Sequence, residues 1–167
     1  MSPILLVFLA AACRLLPHAP NFTPIGAMAL YAGSEIKDVK LALLMTLSAM
    51  LLSDLVIGSD ITSVAVYFSL AITVILGRYF RSTKNVGVGV LSASVSATLF
   101  FLITNFAVWL ASGIYPLTSE GLAACFTAAI PFFGNTMSSE YLYFGGLCVL
   151  GALIRSSRGS RGLSFSS

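Results

Sequence analysis

The stretch Val39-Lys-Leu-Ala-Leu-Leu-Met-Thr-Leu-Ser-Ala-Met-Leu-Leu-Ser-Asp-Leu-Val-Ile-Gly58 decides the fold class. Only Lys40 and Asp54 in it are charged, and an α-helix needs about 20 mostly apolar residues to cross a hydrocarbon core about 30 Å thick. The stretch Ile61–Phe80 meets the same criterion. Working outward, the sequence predicts four further apolar segments: Pro3–Leu16, Phe22–Ser34, Val86–Gly113 and Met137–Ile154.

These four segments differ in length. Met137–Ile154 is adequate for a span, whereas Val86–Gly113 is longer than needed and should tilt or project from the membrane. Pro3–Leu16 is short, and Phe22–Ser34 is shorter still because Pro20, Pro24 and Gly33 bound it. A short helix can still span where the bilayer thins locally.

The composition agrees with a membrane protein. Charged residues make up 9% of the 167 residues, hydrophobic residues make up 57%, and the mean hydropathy is +0.96. A soluble domain carries about 25% charged residues, which it needs to cover its surface. This composition excludes an ordinary soluble enzyme and a disordered chain, and a net charge of +3 spread over separate loops is no nucleic-acid footprint.

The basic residues predict the orientation. Eight of the nine Lys and Arg residues fall in alternate loops or after the last span: Lys37, Lys40, Arg78, Arg81, Lys84, Arg155, Arg158 and Arg161. The intervening loops, 17–21, 58–60 and 114–120, contain none. The positive-inside rule then favours about six spans with both termini cytoplasmic and Arg14 alone outside. The predicted organisation is an all-α bundle over residues 1–154 and a flexible, basic cytoplasmic tail over residues 155–167.

This parity constrains a seventh apolar segment, Leu117–Phe133. If it crossed the membrane fully, the last span would reverse and place three arginines outside. We therefore predict a re-entrant or surface helix near 117–133 that ends at Pro131-Phe-Phe-Gly.

Polar residues collect toward the predicted outer side. An ionisable group within a span is costly unless paired, so Asp54 is a candidate ligand-binding residue. The alternatives for Asp54 are a salt bridge to Arg14 or a helix-capping role near Gly58. Glu120 and Glu140 are expected at the solvated rim. The other candidate ligand-binding residues are Arg14, His18, Asn21, Asn105, Trp109, Tyr115 and Cys125.

Several of these candidates have a structural alternative. His18 could be an interfacial residue instead of a ligand contact or metal ligand, and a lone histidine cannot make a zinc site. Trp109 and Tyr115 are equally typical of an aromatic belt at the membrane surface. The small-residue pairs Ala29/Gly33, Ala93/Ala97 and Ala124/Ala128 favour close helix packing, within this chain or against a partner.

The sequence contains no motif of a known catalytic centre. It lacks a phosphate-binding Gly-x-x-x-x-Gly-Lys-Ser/Thr loop, Gly-x-Ser-x-Gly and His-Glu-x-x-His. We therefore expect neither an enzyme nor a protein that fuels itself with ATP.

Five motifs resemble a family of small, uncharacterised bacterial membrane proteins labelled as candidate transport proteins. They are Arg14-Leu-Leu-Pro-His-Ala-Pro-Asn-Phe-Thr-Pro-Ile-Gly-Ala27, Ser53-Asp-Leu-Val-Ile-Gly58, Thr104-Asn-Phe-Ala-Val-Trp-Leu110, Tyr115-Pro-Leu-Thr-Ser-Glu-Gly-Leu122 and Ile130-Pro-Phe-Phe-Gly-Asn-Thr136. That family is similar to the substrate-binding (S) subunits of energy-coupling-factor (ECF) vitamin transporters, six-helix proteins that bind a vitamin or metal ion from the outer side.

The resemblance implies a multi-pass protein of the bacterial inner membrane with an outer pocket. It implies as partners a transmembrane coupling subunit and two ATPases, and no cofactor of its own. Solitary relatives include cobalamin transporters in which a cysteine contacts the cobalt; Cys125 or Cys13 would be the candidate here. A buried thiol without that role is the alternative.

Three functional hypotheses follow. The first is a substrate-capture subunit or small transporter whose outer pocket is roofed by residues 17–24 and 117–135. The second is a non-transporting interaction or assembly protein that binds a partner helix through its small-residue faces. The third is a membrane protein that modifies a cofactor through a reactive Cys13 or Cys125.

Overall fold

The computed structural model describes residues 3–17, 19–83 and 85–162, and every regular element in these ranges is an α-helix. The helices are α1 (Pro3–Leu15), α2 (Ile25–Glu35), α3 (Val39–Ile57), α4 (Ser63–Thr83), α5 (Val86–Ala111) and α6 (Ser119–Gly162). His18 and Lys84 lie outside the described residues, as do residues 163–167. The all-helical fold class is confirmed.

Four of the described helices are long and apolar enough to cross a membrane. They comprise Val39–Ile57, Ser63–Arg81, Val86–Ala111 and Ser119–Ser157. The first three match the spans predicted from the sequence to within a few residues. Asp38 begins α3 by accepting a hydrogen bond from the backbone N–H of Lys40, and Asn85 begins α5 by accepting from Gly87 and Val88.

The two ends of the bundle carry different residues. We call the end that holds the connections 16–24, 58–62 and 112–118 the outer end, and the opposite end the inner end. At the inner end, Arg155 of α6 pairs with Glu35 of α2 at 2.9 Å, and Arg78 of α4 donates to the carbonyl of Lys37. The basic residues that the charge pattern assigned to one side therefore lie at one end of the bundle.

The shortest of the described helices, α2, lies at the centre of the bundle. It has 11 residues, eight of them buried, and it packs against all five other helices. Its contact with α4 is very close because two glycines meet there: Gly33 faces the backbone at Val74, and Gly77 faces the backbone at Leu30. The sequence left open whether the short segment Phe22–Ser34 is a full span. In the structure its helix is the central packing element.

The prediction of a separate helix near 117–133 is wrong. A single helix of 44 residues, α6, runs from Ser119 through Pro131 to Gly162. Phe101 of α5 packs against Phe126 before the proline and Phe133 after it, at ring-centroid distances of 5.5 and 4.8 Å. These contacts hold both halves of α6 along α5, although proline removes a helical hydrogen bond.

The helix α6 extends into the segment 155–167 that was predicted to be a flexible tail. The chain is helical from Arg155 as far as Gly162, and the last five residues fall outside the described part.

The outer end of α6 pairs with that of α5, so the extra length of both helices forms a hairpin. Eleven residues of α5, about 16 Å, follow Phe100, which lines a cavity together with Ile57, the last residue of α3.

Two of the three small-residue pairs pack inside the bundle. Ala29 and Gly33 are buried in α2, and Ala93 and Ala97 are buried in α5. Ala124 and Ala128 are exposed on α6. The first two pairs therefore serve internal packing and are not open to a partner helix.

Candidate functional site

An ion pair between the half-buried Arg14 and the buried Asp54 lies at the outer end of the bundle. Arg14 of α1 donates from Nη1 to Asp54 Oδ1 and, at 2.7 Å, to the hydroxyl of Ser53. Tyr67 of α4 donates its hydroxyl to Asp54 Oδ2 at 2.8 Å. Both carboxylate oxygens of Asp54 are thus occupied, and its side chain is 4% exposed. The salt bridge to Arg14, one of the alternatives considered for Asp54, is present in the structure.

The carbonyl of Asp54 also takes part in ending α3. The N–H of Gly58 donates to it at 2.8 Å, and Gly58 has a φ of +93°, which glycine adopts without the steric cost of a side chain. The capping near Gly58 is therefore made by the backbone of Asp54, while its carboxylate serves the ion pair.

Beside this ion pair is a cavity of about 310 Å³, lined by residues of all six described helices and of the first outer connection. Its apolar wall consists of Ile25, Met50, Ile57, Val66, Leu70 and Phe100. Its polar lining consists of Arg14, Asn21, Thr23, Thr136, Ser139 and Glu140, with Gly26 beside them. Volumes of about 300–1,000 Å³ with a mainly apolar lining and a few polar groups are typical of small-molecule sites.

Glu140 is the most unusual residue of this cavity. It is 4% exposed, its Oε1 accepts a hydrogen bond from Ser96 at 3.3 Å, and its Oε2 has no hydrogen-bond partner among the described residues. Most buried polar atoms in proteins are hydrogen-bonded, so an unpartnered carboxylate oxygen calls for an explanation. The expectation of a solvated rim position for Glu140 is wrong because α6 begins long before residue 137, which places Glu140 midway along it.

The depth of Glu140 follows from its contacts. Ser96, its partner on α5, lies ten residues after the inner end of that helix at Val86, which is about 15 Å at 1.5 Å per residue. That is half of a hydrocarbon core about 30 Å thick. Ser96 also contacts Thr73 of α4 at 3.1 Å, and Thr73 and Ser96 are both buried. A layer of hydroxyl groups therefore surrounds one side of the carboxylate at mid-bundle.

Gly26 of α2 provides the space for this carboxylate. A Cβ atom at position 26 would lie 2.1 Å from Glu140 Oε1. The absence of a side chain therefore lets Glu140 approach the backbone of the central helix.

The ion pair and Glu140 lie at different depths. On α4, Tyr67 bonds to Asp54, and Thr73 contacts Ser96, the partner of Glu140. Tyr67 and Thr73 are six residues apart. This separation is about 9 Å along the helix. Arg14 therefore lies toward the outer mouth of the cavity and Glu140 forms its floor.

The first outer connection covers the cavity. Asn21, with a φ of +61°, and Thr23 line it. Asn135 of α6 donates from Nδ2 to the carbonyl of Pro20 at 3.0 Å, and the ring of Phe22 packs against Tyr143 at 5.8 Å. The two segments expected to roof the pocket, 17–24 and 117–135, therefore meet at Asn135.

Four of the predicted site residues lie elsewhere, on the outer hairpin of α5 and α6. Asn105 donates to the carbonyl of Phe101 at 2.8 Å, Trp109 donates from Nε1 to the carbonyl of Pro116 at 3.0 Å, and Tyr115 lies half-buried in the connection. Cys125 is buried, and its thiol donates to the carbonyl of Asn105 at 3.4 Å. The cavity lining does not include these four residues, and His18 lies outside the described part of the chain.

Sequence reasoning missed Gly26, Ser96, Thr136 and Ser139, and it misplaced Glu140. A signal for Glu140 was present, since it is the only charged residue between Glu120 and Arg155. The partners of Glu140 carry no comparable signal, because serine and threonine occur throughout the spans.

Asp60 adds a negative charge to the outer surface near the start of α4. Its Oδ1 accepts hydrogen bonds from the hydroxyl and the N–H of Thr62 and from the N–H of Ser63. The Thr62 hydroxyl bond above all, together with the backbone bonds, lowers the pKa of Asp60 below its usual value. Asp60 is therefore ionised at neutral pH.

Two cavities lie at the inner end, and among the described residues neither has an unpartnered buried carboxylate like that of Glu140. The larger, of about 840 Å³, lies beside Phe80, Ala93 and Phe144, and the smaller, of about 280 Å³, lies beside Met28 and Met45. The charged residues that line them, Glu35 and Arg155, pair with each other. Within the described ranges, no group of three His, Cys, Asp or Glu residues could hold a metal ion.

Comparison with known proteins gives the family. The chain belongs to the family described as "Family of unknown function (DUF6580)", which it matches over residues 1–160. No curated protein and no solved structure matches the chain.

Proposed function

We propose that this DUF6580 protein is a multi-pass protein of the bacterial inner membrane that captures a small molecule from the outer side. In this role it would act as an S-subunit-like component or a small transporter. The observation that supports the proposal is the unpartnered Oε2 of Glu140 in a cavity of about 310 Å³. A carboxylate at membrane depth costs a few kcal/mol unless it is paired, and such residues mark substrate and ion sites.

The orientation is part of the proposal. The inner end holds Lys37, Lys40, Arg78, Arg81 and Arg155, so the positive-inside rule places it in the cytoplasm. The mouth of the cavity, near Arg14, then faces the outer side.

Cysteine labelling in cells tests this orientation. In a background without Cys13, Cys125 and Cys148, we expect a membrane-impermeant maleimide to label Ser59→Cys in intact cells. Ser156 is equally exposed but lies at the inner end, so Ser156→Cys should be labelled only after permeabilisation. Labelling with the opposite pattern would place the cavity mouth in the cytoplasm and contradict capture from outside.

The size of the cavity limits the size of the ligand that it can hold. A volume of about 310 Å³ is at the lower limit for drug-sized molecules, whereas cobalamin, with its corrin ring and nucleotide loop, is far larger. Cys125 bonds to the Asn105 carbonyl on the outer hairpin, away from this cavity. Both observations favour a smaller vitamin or cofactor precursor over cobalamin.

The source of energy lies outside this chain in the proposal. Because the sequence has no phosphate-binding loop, uptake would depend on a partner such as an ECF-type coupling subunit with its ATPases. The alternative of an interaction protein would use the exposed pair Ala124 and Ala128, since Ala93 and Ala97 are buried.

Native mass spectrometry of protein purified from its own host in mild detergent tests the proposed function. We expect a bound mass of vitamin or smaller size in the wild type and its loss in Val66→Phe, which fills the cavity. Val64→Phe is the matched control, because Val64 is on the same helix but is 68% exposed. A bound mass that survives Val66→Phe would contradict the site. A wild-type protein that carries a stoichiometric protein partner and no small molecule would favour the interaction alternative.

A further inference from the structure

We infer that the cavity recognises an organic cation, with a protonated amine of the ligand bound to Oε2 of Glu140 and an apolar body above it. This inference rests on the proposed function and adds the chemical class of the ligand. It follows from the charges, the hydrogen-bonding state and the shape of the cavity lining.

Glu140 is the charged group of the lining that no ion pair among the described residues balances. Arg14 also lines the cavity, but its charge is balanced by Asp54 beside it. Glu140 has no charged partner among the described residues, and it is the remaining charged group of the lining. An ionised Glu140 thus gives the cavity one unbalanced negative charge. A ligand cation would neutralise it, whereas a ligand anion would be repelled.

The hydroxyl groups beside Glu140 are hydrogen-bond acceptors for a ligand. Thr136 donates its hydroxyl hydrogen to the carbonyl of Phe132 at 3.0 Å, and Ser139 donates its own to the carbonyl of Thr136 at 2.9 Å. A hydroxyl has one hydrogen and two lone pairs, so both oxygens keep lone pairs for an incoming donor. With Glu140 Oε2 they make three acceptors in the lining.

An alkylammonium group matches these acceptors. It carries three N–H donors and no acceptor. A quaternary ammonium carries the charge without N–H donors, so it would leave the hydroxyls without a partner. The arrangement therefore favours an N–H-bearing cation.

The size and the apolar wall favour an organic cation over a bare metal ion as the occupant. A volume of about 310 Å³ is about ten times the roughly 30 Å³ that one water molecule occupies in the liquid. Met50, Leu70 and Phe100 form part of the wall above the carboxylate. An apolar carbon skeleton attached to the amine would fill this space and be shielded from water.

Ligand-observed NMR titration of the full chain in nanodiscs tests the inference with probes of matched shape. The probes are benzylamine, which is a primary ammonium at neutral pH, benzyltrimethylammonium and the neutral benzyl alcohol. Val66→Phe, with its filled cavity, gives the baseline for partitioning into lipid. Above that baseline we expect benzylamine to bind at least tenfold tighter than benzyl alcohol, with benzyltrimethylammonium between them.

Variants of the floor give the second part of the test. We expect Glu140→Gln to lower benzylamine affinity at least tenfold and to remove its advantage over benzyl alcohol. Thr136→Val, which keeps the carboxylate, should weaken benzylamine about threefold, and it serves if Glu140→Gln does not fold. Val64→Phe should change neither affinity.

The outcomes separate this inference from the proposed function. Equal binding of benzylamine and benzyl alcohol, both lost in Val66→Phe, would overturn the cation assignment and leave a ligand cavity in place. Undiminished benzylamine binding by Glu140→Gln would also overturn it. Binding of every probe to the same extent by wild type and Val66→Phe would overturn both.

Discussion

Gly33→Ala and Gly77→Ala are each expected to prevent the protein from accumulating in folded form. A Cβ at position 33 would lie 2.0 Å from the carbonyl oxygen of Val74, and one at position 77 would lie 2.2 Å from that of Leu30. Both obstacles are backbone atoms, so α2 and α4 would have to separate. Because α2 contacts all five other helices, its displacement would disturb the whole bundle. Overpacking of this kind costs about 3 kcal/mol or more.

Fluorescence-detected size-exclusion chromatography of a fusion to a fluorescent protein measures this effect as the loss of the monodisperse peak. Gly134→Ala and Gly145→Ala are matched controls, because a Cβ at either position would meet no atom within 4 Å. Both controls should give a wild-type peak and an unchanged or slightly higher Tm, since alanine favours the helix over glycine. A folded Gly33→Ala protein with a wild-type Tm would show that the α2–α4 contact is looser than described.

Arg14→Ala is expected to lower the free energy of unfolding by about 3–5 kcal/mol, because it leaves Asp54 buried without a counter-charge. Asp54→Asn should also destabilise the protein, since Arg14 then loses its charged partner. The ion pair thus gives Asp54, a candidate ligand-binding residue from the sequence, a contribution to stability. Thermal unfolding in detergent, followed by the monomer fraction, measures both effects.

Arg155→Ala is the matched control for this second prediction. Its ion pair with Glu35 is more exposed, with side-chain exposures of 57% and 28%, so its loss should cost less than about 1 kcal/mol. The double variant Arg14→Leu/Asp54→Leu should recover much of the lost stability, because buried ion pairs can be replaced by apolar residues of similar size. Equal destabilisation by Arg14→Ala and Arg155→Ala would contradict a special role of the buried pair.

The candidate site could be predicted only in part. Arg14, Asn21 and Asp54 gather at the outer mouth, and their polarity within or beside apolar segments was the signal. Asn105, Trp109, Tyr115 and Cys125 carried equally visible chemistry, yet they lie on the outer hairpin. The motifs indicated residues at one end of the bundle but not which helices enclose the cavity.

The sequence by itself determined the protein class, the approximate bounds of α3, α4 and α5, and the separation of charges between the two ends. These properties follow from segment length, apolar content and the distribution of Lys and Arg, and each is local in the chain. Tertiary structure decided the central position of α2, the continuity of α6 through Pro131 and the burial of Glu140. Those features depend on contacts between distant residues, such as Ser96 with Glu140 and Pro20 with Asn135. A hydropathy pattern contains no information on such pairings, because it reports how apolar a segment is and not which segment it meets.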